Sequence, residues 1–402
     1  MDSTHQIPIF ASGQAHIVPL AGLTEKLEKG TPLRIKFGVD PTAPDIHLGH
    51  AVPLRKLRQL QELGHQAVLI IGDGTAHIGD PSGRNSTRPP LTSEQIAENA
   101  QTYVSQAFKI LDRERTELVW NGSWLTPLAL EDLLHLMSHF TVARILERDD
   151  FARRYHSEQS ISLHEFLYPV MQAYDSVVVK ADMEIGGNDQ LFNLLAGREL
   201  MEKLGMEPQI CLTLPLLEGT DGELKMSKSY GNYISITEEP AEMFGKAMSI
   251  PDALMPRYYQ LTSSFSLAEI EQTLAALADG SLHPNRAKRA LAANIVTQYW
   301  GEEAAAQAEE GFDRVFKQHG LPEEIPCYEG QVSADADGQV YLPSLLAETG
   351  LAASASEGRR LIDNGGVKIG GRAQAPKHYE AAAEALAGAV LQVGKRRYIR
   401  LP

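Results

Sequence analysis

The stretch Phe37-Gly-Val-Asp-Pro-Thr-Ala-Pro-Asp-Ile-His-Leu-Gly-His50 decides how this chain is read. Just before and into it, Leu33 to Val39 has the pattern of a short buried strand, with Ile35, Phe37 and Val39 alternating. Asp40, Pro41, Thr42, Pro44 and Asp45 are turn residues and end that strand. From His47 onward the spacing becomes helical, through Leu48, Val52, Leu54, Leu57 and Leu60. His47 and His50 therefore fall at a strand-to-helix junction, where free backbone N–H groups and the helix dipole attract phosphate. Gly49 has no side chain, so a flat ring could come close to the backbone there. Two imidazoles three residues apart can donate to one phosphate group. The same residues also fit two ordinary surface histidines in a Pro-rich turn. A zinc site fits less well, because no nearby Cys or third His completes a ligand set.

Outward from this junction the chain alternates strands and helices. A second strand runs over Ala67–Ile71 and is followed by a loop, Gly72-Asp-Gly-Thr-Ala-His-Ile-Gly-Asp-Pro-Ser-Gly-Arg84. A helix is expected over Ser93–Leu111 and a third strand over Glu117–Trp120. Residues 123–165 break the rhythm with helical pieces and read as an insertion. The rhythm resumes with a helix near 163–178, a strand at 182–185, a helix at 189–204 and a strand at 209–215. Such a βαβ series implies a parallel sheet with right-handed crossovers, which binds ligands beyond the carboxyl ends of its strands. Residues 1–30 read as a helical lead-in, and residues 236–318 as helices only. The expected division is 1–232 for a Rossmann-like catalytic domain, 233–325 for an all-α domain, 326–340 for a linker and 341–402 for a small α+β domain.

At 402 residues the chain is long for one core. With 43% hydrophobic and 22% charged residues it has the composition of a soluble globular protein. No signal-like start or membrane-length apolar run is visible, and two distant cysteines, Cys211 and Cys327, fit reduced thiols, so a cytoplasmic setting is expected. The net charge of -15 argues against indiscriminate nucleic-acid binding. From Tyr341 to the end, however, nine Lys and Arg face five acids, so the tail is +4 and the remainder -19. A small basic tail on an acidic body is a candidate RNA-binding module.

A second signal lies after the last strand of the sheet. Lys225-Met-Ser-Lys-Ser229 puts two ammonium groups and two hydroxyls between Gly222 and Gly231. Such a loop can close over a polyphosphate and neutralise charge as it develops; read alone, Lys/Ser loops are usually just solvated. Taken with His47 and His50, in this order on a parallel sheet, it resembles the two signatures of the class I aminoacyl-tRNA synthetases. The resemblance to tyrosyl-tRNA synthetases runs along essentially the whole chain. It rests on Asp40-Pro-Thr, Gly79-Asp-Pro-Ser-Gly83, Tyr168-Pro-Val-Met-Gln-Ala-Tyr-Asp175 and Gly186-Gly-Asn-Asp-Gln190. Independently of it, Tyr168, Gln172 and Asp175 are spaced to share one helix face amid apolar neighbours.

The resemblance implies an ATP-dependent tyrosine–tRNA ligase that is usually a homodimer through its inserted segment. It implies tyrosine, ATP with Mg²⁺ and tRNA(Tyr) as substrates, with no protein-held metal and no membrane association. It assigns Tyr168, Gln172 and Asp80 to the substrate ammonium, Asp175 to the phenol and Gln190 to the carboxyl region, with Asp40 beside them. Gly187 and Asp189 would hold the ATP ribose, and Thr42 and His47 the distal phosphates. His50 would lie near the ribose and α-phosphate, against Gly49, with Lys225, Met226, Ser227 and Lys228 closing over. Arg84 and Arg88 match positions that support the pyrophosphate. The tail resembles the RNA-binding module of the ribosomal S-four type, with Arg359, Arg360, Lys368 and Arg372 on its phosphate-contacting face.

The chain departs from the common bacterial pattern in having Lys36-Phe37 where many relatives carry Tyr-Cys, and Leu-Phe-Asn193 after Gln190. Both point to a second branch of the bacterial enzyme. Lys36 faces away from Ile35 and Phe37. The second strand ends in Gly72-Asp73 at a comparable height, so Asp73 is its expected partner. With Asp175 the two would form a charged cluster around the substrate hydroxyl; the alternative is that Lys36 reaches solvent at the sheet edge. Three other functions remain open at this stage: a nucleotidyltransferase with the same His-x-Gly-His junction, a tryptophan-specific relative, and an inactive RNA-binding relative.

Overall fold

The computed structural model describes residues 3–41, 45–80, 92–316, 325–394 and 397–402. It divides into two compact units, Met1–Ala308 and Glu309–Pro402.

The first unit is built on a six-stranded sheet of order β1-β6-β5-β2-β3-β4. Its strands are β1 (His16–Val18), β2 (Arg34–Val39), β3 (Gln66–Ile71), β4 (Thr116–Trp120), β5 (Met183–Gly187) and β6 (Ile210–Leu214). β2 to β6 pair in parallel, and β1 runs antiparallel to β6 with His16 opposite Thr213. The lead-in expected to be helical thus contains an edge strand. At three residues it is too short to show a period in sequence. β3, Gln-Ala-Val-Leu-Ile-Ile, is buried at every position after the first, as a central strand covered on both faces must be.

The chain runs outward from β2 to β3 to β4, then returns to lay β5 on the other side of β2. The crevice at the carboxyl ends of β2 and β5 is therefore the switch point of the sheet, where open α/β sheets bind ligands.

Helices α1 (Ser3–Ala11), α2 (Leu20–Glu28), α3 (Leu48–Glu62) and α4 (Ser93–Ala107) come in the first half of this unit. α4 opens with a capping box: Thr92 Oγ1 accepts from Gln95 N–H, and the Gln95 side chain accepts from Thr92 N–H. The insertion consists of α5 (Gly122–Leu125), α6 (Leu130–Ser138), α7 (Val142–Ile145) and α8 (Asp149–His156). α9 (Leu167–Val178) and α10 (Leu191–Lys203) bracket β5 in sequence and pack on each other. From Pro240 on, α11 (Pro240–Ser249), α12 (Met255–Thr262), α13 (Leu267–Ala278), α14 (Pro284–Trp300) and α15 (Glu302–Phe316) follow without a strand.

The second unit has its own core, centred on Leu342, Leu345, Ile362, Val367 and Leu391. α16 (Leu342–Glu348) and α17 (Ala355–Asp363) approach closely at Gly358, where a Cβ would come 2.9 Å from the Pro343 carbonyl oxygen. The strand Val367–Ile369 lies in a four-stranded sheet with Arg372–Ala373, Val390–Val393 and Arg397–Arg400. Among the described residues, no helix is long and apolar enough to cross a membrane.

Candidate active site

A cavity of about 820 Å³ opens at the switch point. One end is walled by the β2–α3 junction and the loop after β6. Leu48 N–H donates to the Ile234 carbonyl, and Ile236 N–H to the Ile46 carbonyl. These two bonds hold the chain after the Lys225–Ser229 loop against the start of α3.

The His47 and His50 rings stack, with centroids 3.8 Å apart and planes 16° off parallel. Burial, then the neighbouring His50 and Lys228, push His47 down to about 3. The enclosing cavity walls, with Lys228 and Lys225, push His50 down to about 4. Both imidazoles are therefore neutral near pH 7 and meet an anion as N–H donors rather than as cations. His47 Nδ1 is buried and has no hydrogen-bond partner among the described residues. A Cβ on Gly49 would sit 3.1 Å from the His47 ring and 3.5 Å from Met226 Cβ, so glycine keeps this gap open.

In the loop, Met226 is buried and Lys225 exposed. Ser227 N–H donates to Asn232 Oδ1 at 2.8 Å, and Ser227 Oγ accepts from Ser229 N–H. Lys228 pairs with Asp45, which lies beside the histidine junction.

The other end of the cavity is polar and largely buried. Asp40 accepts from Thr75 Oγ1 at 2.6 Å and from Tyr168 OH at 2.9 Å. Asn121 links Thr75 to Asp175, donating to Thr75 Oγ1 and Asp175 Oδ2 at 3.1 Å each. The second oxygen of Asp175 accepts from Trp124 Nε1 at 2.9 Å. Asp80 accepts from Gln190 Nε2 at 2.8 Å. Asn193 donates to Gln190 Oε1 and receives a long bond from Arg148, which pairs with Asp150 at the start of α8. The insertion is thereby tied to the cavity wall.

Asp40, Asp80 and Asp175 crowd one region. Desolvation, reinforced by the charges of Asp80 and Asp175 against the Thr75 and Tyr168 hydrogen bonds, pushes Asp40 up to about 7. Desolvation also raises Asp175, to about 6, opposed by the Lys36 charge and by the Trp124 and Asn121 bonds. Asp189 is raised as well, by desolvation first and then by Asp80. This is a site short of positive charge.

The whole chain has close relatives. The family profile "tRNA synthetases class I (W and Y)" matches residues 28–317. A tyrosine–tRNA ligase of Moorella thermoacetica is 51% identical over 400 residues, spanning 98% of this chain and 95% of the relative. Another, from Geobacter metallireducens, is 51% identical over 405 residues, spanning 100% and 99%. Among solved structures, the tyrosyl-tRNA synthetase of Archaeoglobus fulgidus complexed with L-tyrosine has a TM-score of 0.62 at 25% identity, covering 76% of this chain and 99% of that one. The chain belongs to the tyrosyl-tRNA synthetases.

As in the reading from sequence, His47, Gly49, His50, Met226, Ser227 and Lys228 of this synthetase share one cavity with Asp40, Asp80, Tyr168, Gln172, Asp175, Gly187, Asp189 and Gln190. Lys225 lines it too. Thr42, Arg84 and Arg88 lie outside the described residues.

Two expected residues do not line it. Lys36 does not pair with Asp73, and it does not reach solvent: it is wholly buried and bridges Glu184 at 2.8 Å. The reason is register. Lys36 stands opposite Val68 on β3, and Asp73 lies five residues further along, about 16 Å away at strand rise. On the other side of β2, Lys36 is the direct register partner of Glu184. Asp73 instead accepts from the Gly122 and Gly74 N–H groups at 2.7 and 3.1 Å, fixing the turn before α5.

Four residues of the site were missed in sequence: Thr75, Asn121, Trp124 and Glu184. Asn121 could have been found, since it directly follows β4 as Asp40 follows β2. Glu184 had a signal as well, an acid inside an otherwise apolar buried strand.

In the second unit Arg359, Arg360, Lys368 and Arg372 are all exposed. The Arg359 guanidinium lies over the Tyr341 and Tyr379 rings and donates to Tyr341 OH at 2.5 Å.

Proposed function

We infer that this synthetase activates tyrosine with ATP and transfers the tyrosyl group to the 3′ end of tRNA(Tyr). The observation that carries the reading is the joining of two differently equipped ends in one cavity. The histidine junction and the Lys225–Ser229 loop face each other at one end, and an acid-rich, hydrogen-bonding pocket forms the other. The complex of the Archaeoglobus fulgidus relative with L-tyrosine supports the assignment of the amino acid.

In the first step the tyrosine carboxylate attacks the α-phosphorus of ATP, forming tyrosyl-adenylate and releasing pyrophosphate, with magnesium entering on the nucleotide. In the second step a ribose hydroxyl at the tRNA 3′ end attacks the tyrosyl carbonyl and AMP leaves. No side chain forms a covalent bond; alignment and charge stabilisation supply the rate.

Tyr168, Gln172 and Asp80 receive the substrate ammonium, Asp175 accepts from the phenol, and Gln190 lies by the carboxylate. Gly187 and Asp189 hold the ribose. His47, with Thr42, donates to the distal phosphates, and His50 to the α-phosphate region. Lys225 and Lys228 neutralise the departing pyrophosphate, with Arg84 and Arg88 behind it. For this, Lys228 must leave Asp45, with which it pairs.

The second unit carries tRNA through Arg359, Arg360, Lys368 and Arg372, as a module of the ribosomal S-four type. In chain order, the catalytic part, residues 1–232, is followed by the all-α stretch 233–325, the linker 326–340 and this module, residues 341–402. The insertion supplies the interface of a homodimer. Leu130, Leu134, Val142 and Leu163 are 57–85% exposed there, an apolar surface that a second copy would cover. The setting is the cytoplasm. Amino-acid-dependent exchange of pyrophosphate into ATP tests the central reading. Tyrosine supports exchange, and tryptophan and phenylalanine support little; equal exchange with tryptophan would overturn the specificity.

A further inference from the structure

At the floor of the amino-acid pocket, where Glu184 meets the cavity, lies a buried polar cluster that takes no direct part in the chemistry above. Its members come from β2, β5, α9 and the residue just before β6. Lys36 and Ser176 are wholly buried, Glu184 is 1% exposed and Gln209 is wholly buried.

The Lys36 ammonium donates to the Gln172 carbonyl and to Ser176 Oγ and forms an ion pair with Glu184 Oε1, at 2.8 Å each. Glu184 Oε2 accepts from Gln209 Nε2 at 2.6 Å and from Ser176 Oγ at 3.2 Å. Gly197 on α10 leaves room for this; a Cβ there would come 2.7 Å from Gln209 Nε2. A buried ion pair is maintained only when its remaining lone pairs and protons are satisfied in this way.

One bond leaves the cluster for the cavity. Gln172 Nε2 donates to Glu184 Oε1 at 3.0 Å. A carboxylate already accepting from a lysine has nothing to donate, so it can bind only the NH₂ half of that amide. Reversing the amide would set oxygen against oxygen in a dry site. The Gln172 oxygen is thereby turned the other way, and it makes no hydrogen bond among the described residues while Gln172 lines the cavity. An amide is otherwise ambivalent, offering donor or acceptor according to its rotation.

We propose that Glu184, held in place by Lys36, is a positioning residue that locks the Gln172 amide with its oxygen toward the cavity, so that the pocket selects an amino acid bearing an ammonium there. This rests on the assignment of Gln172 to the substrate ammonium. It also accounts for Lys36, whose charge neutralises Glu184 in a position where solvent cannot.

The test compares tyrosine with 3-(4-hydroxyphenyl)propanoate, which is tyrosine without its amine, binding to the full chain. The variants are Glu184→Gln, the double variant Lys36→Met with Glu184→Gln, and Gln172→Ala. The double variant removes both charges together, so that no unpaired ion is left buried to unfold the protein. Position 184 can then donate or accept, and the amide above it is free to turn.

Loss of an oriented acceptor to a charged donor is expected to weaken tyrosine about tenfold in the double variant; in Glu184→Gln alone, Lys36 keeps the amide oxygen on the Gln172 side and the affinity stays within about twofold. The KM for ATP and the affinity for the amine-free analogue should stay within about twofold, a small part of that loss. Unchanged preference for tyrosine over the analogue in the folded double variant would overturn the proposal, as would equal weakening of both ligands. Gln172→Ala separates the two layers of the argument. If it lowers the preference while the double variant does not, the lock is wrong and the ammonium assignment survives. If it leaves the preference unchanged, both fail.

Discussion

Raising the pH from 6 to 8 should strengthen tyrosine binding about tenfold, for a reason contained in three carboxylates. Asp40, Asp80 and Asp175 line one region of the cavity, with Lys36 behind it. Asp40 is held up at about 7 and Asp175 at about 6, mainly by desolvation. Both values lie above those of an ordinary carboxylate, so the free protein holds protons there that an exposed acid would have lost.

On the proposed assignments tyrosine brings an ammonium beside Asp40 and a phenol that donates to Asp175, and it remains an ammonium throughout this range. A cation favours the ionised acids, so binding expels protons, and affinity rises as pH climbs through the free-state values. At about 7, Asp40 is roughly nine-tenths protonated at pH 6 and one-tenth at pH 8, which gives about a tenfold change in Kd. Asp175 at about 6 adds up to roughly another factor of two at the acid end. His47 and His50, pushed down to about 3 and 4, stay neutral across the window and add no slope.

Calorimetric titration with tyrosine, in two buffers of different ionisation enthalpy, reads both the affinity and the protons exchanged. Release of about 0.9 proton per site from Asp40, and up to about 1.4 with Asp175, is expected at pH 6, falling away by pH 8. Asp40→Asn should remove most of the slope. A Kd that stays flat from pH 6 to 8, or proton uptake on binding, would refute the argument.

Two further outcomes follow from the site and the tail. Replacing His47, His50, Lys225 or Lys228 by Ala should slow adenylate formation about a hundredfold in single-turnover experiments, with little change in tyrosine Kd, because their contacts to phosphate strengthen as charge develops; lost tyrosine affinity at an unchanged rate would contradict the roles assigned. A chain ending at residue 325 should still form tyrosyl-adenylate but scarcely charge tRNA. The full chain's tRNA affinity should fall with salt more steeply by a log–log slope of about 3, as expected for four cation–phosphate contacts; normal charging by the truncated chain would contradict the division of labour.

Much of what lines the cavity was legible because its chemistry is written locally. His47 and His50 are three residues apart, Tyr168, Gln172 and Asp175 lie on successive turns of one helix, and Lys225 to Ser229 is a single loop. For such groups, spacing alone fixes which side chains share a face. The βαβ alternation likewise implies a parallel sheet and places the ligand at the strands' carboxyl ends. The short antiparallel β1 escaped, since three residues carry no readable period and its partner, β6, lies nearly two hundred residues on.

Lys36 shows where sequence stops. From sequence, a lysine in this strand had either to find a counter-charge or to reach solvent at the sheet edge, because an unpaired ion in an apolar core costs too much. The sequence also held the answer, Glu184 in another apolar strand, with nothing local to connect the two. Only the tertiary structure decided the pairing. The chain returns past β2 to lay β5 beside it, and the register sets residue 36 opposite residue 184 rather than near residue 73. Strand order and register come from the packing of the whole sheet, and a shift of one residue would turn Lys36 away from its partner.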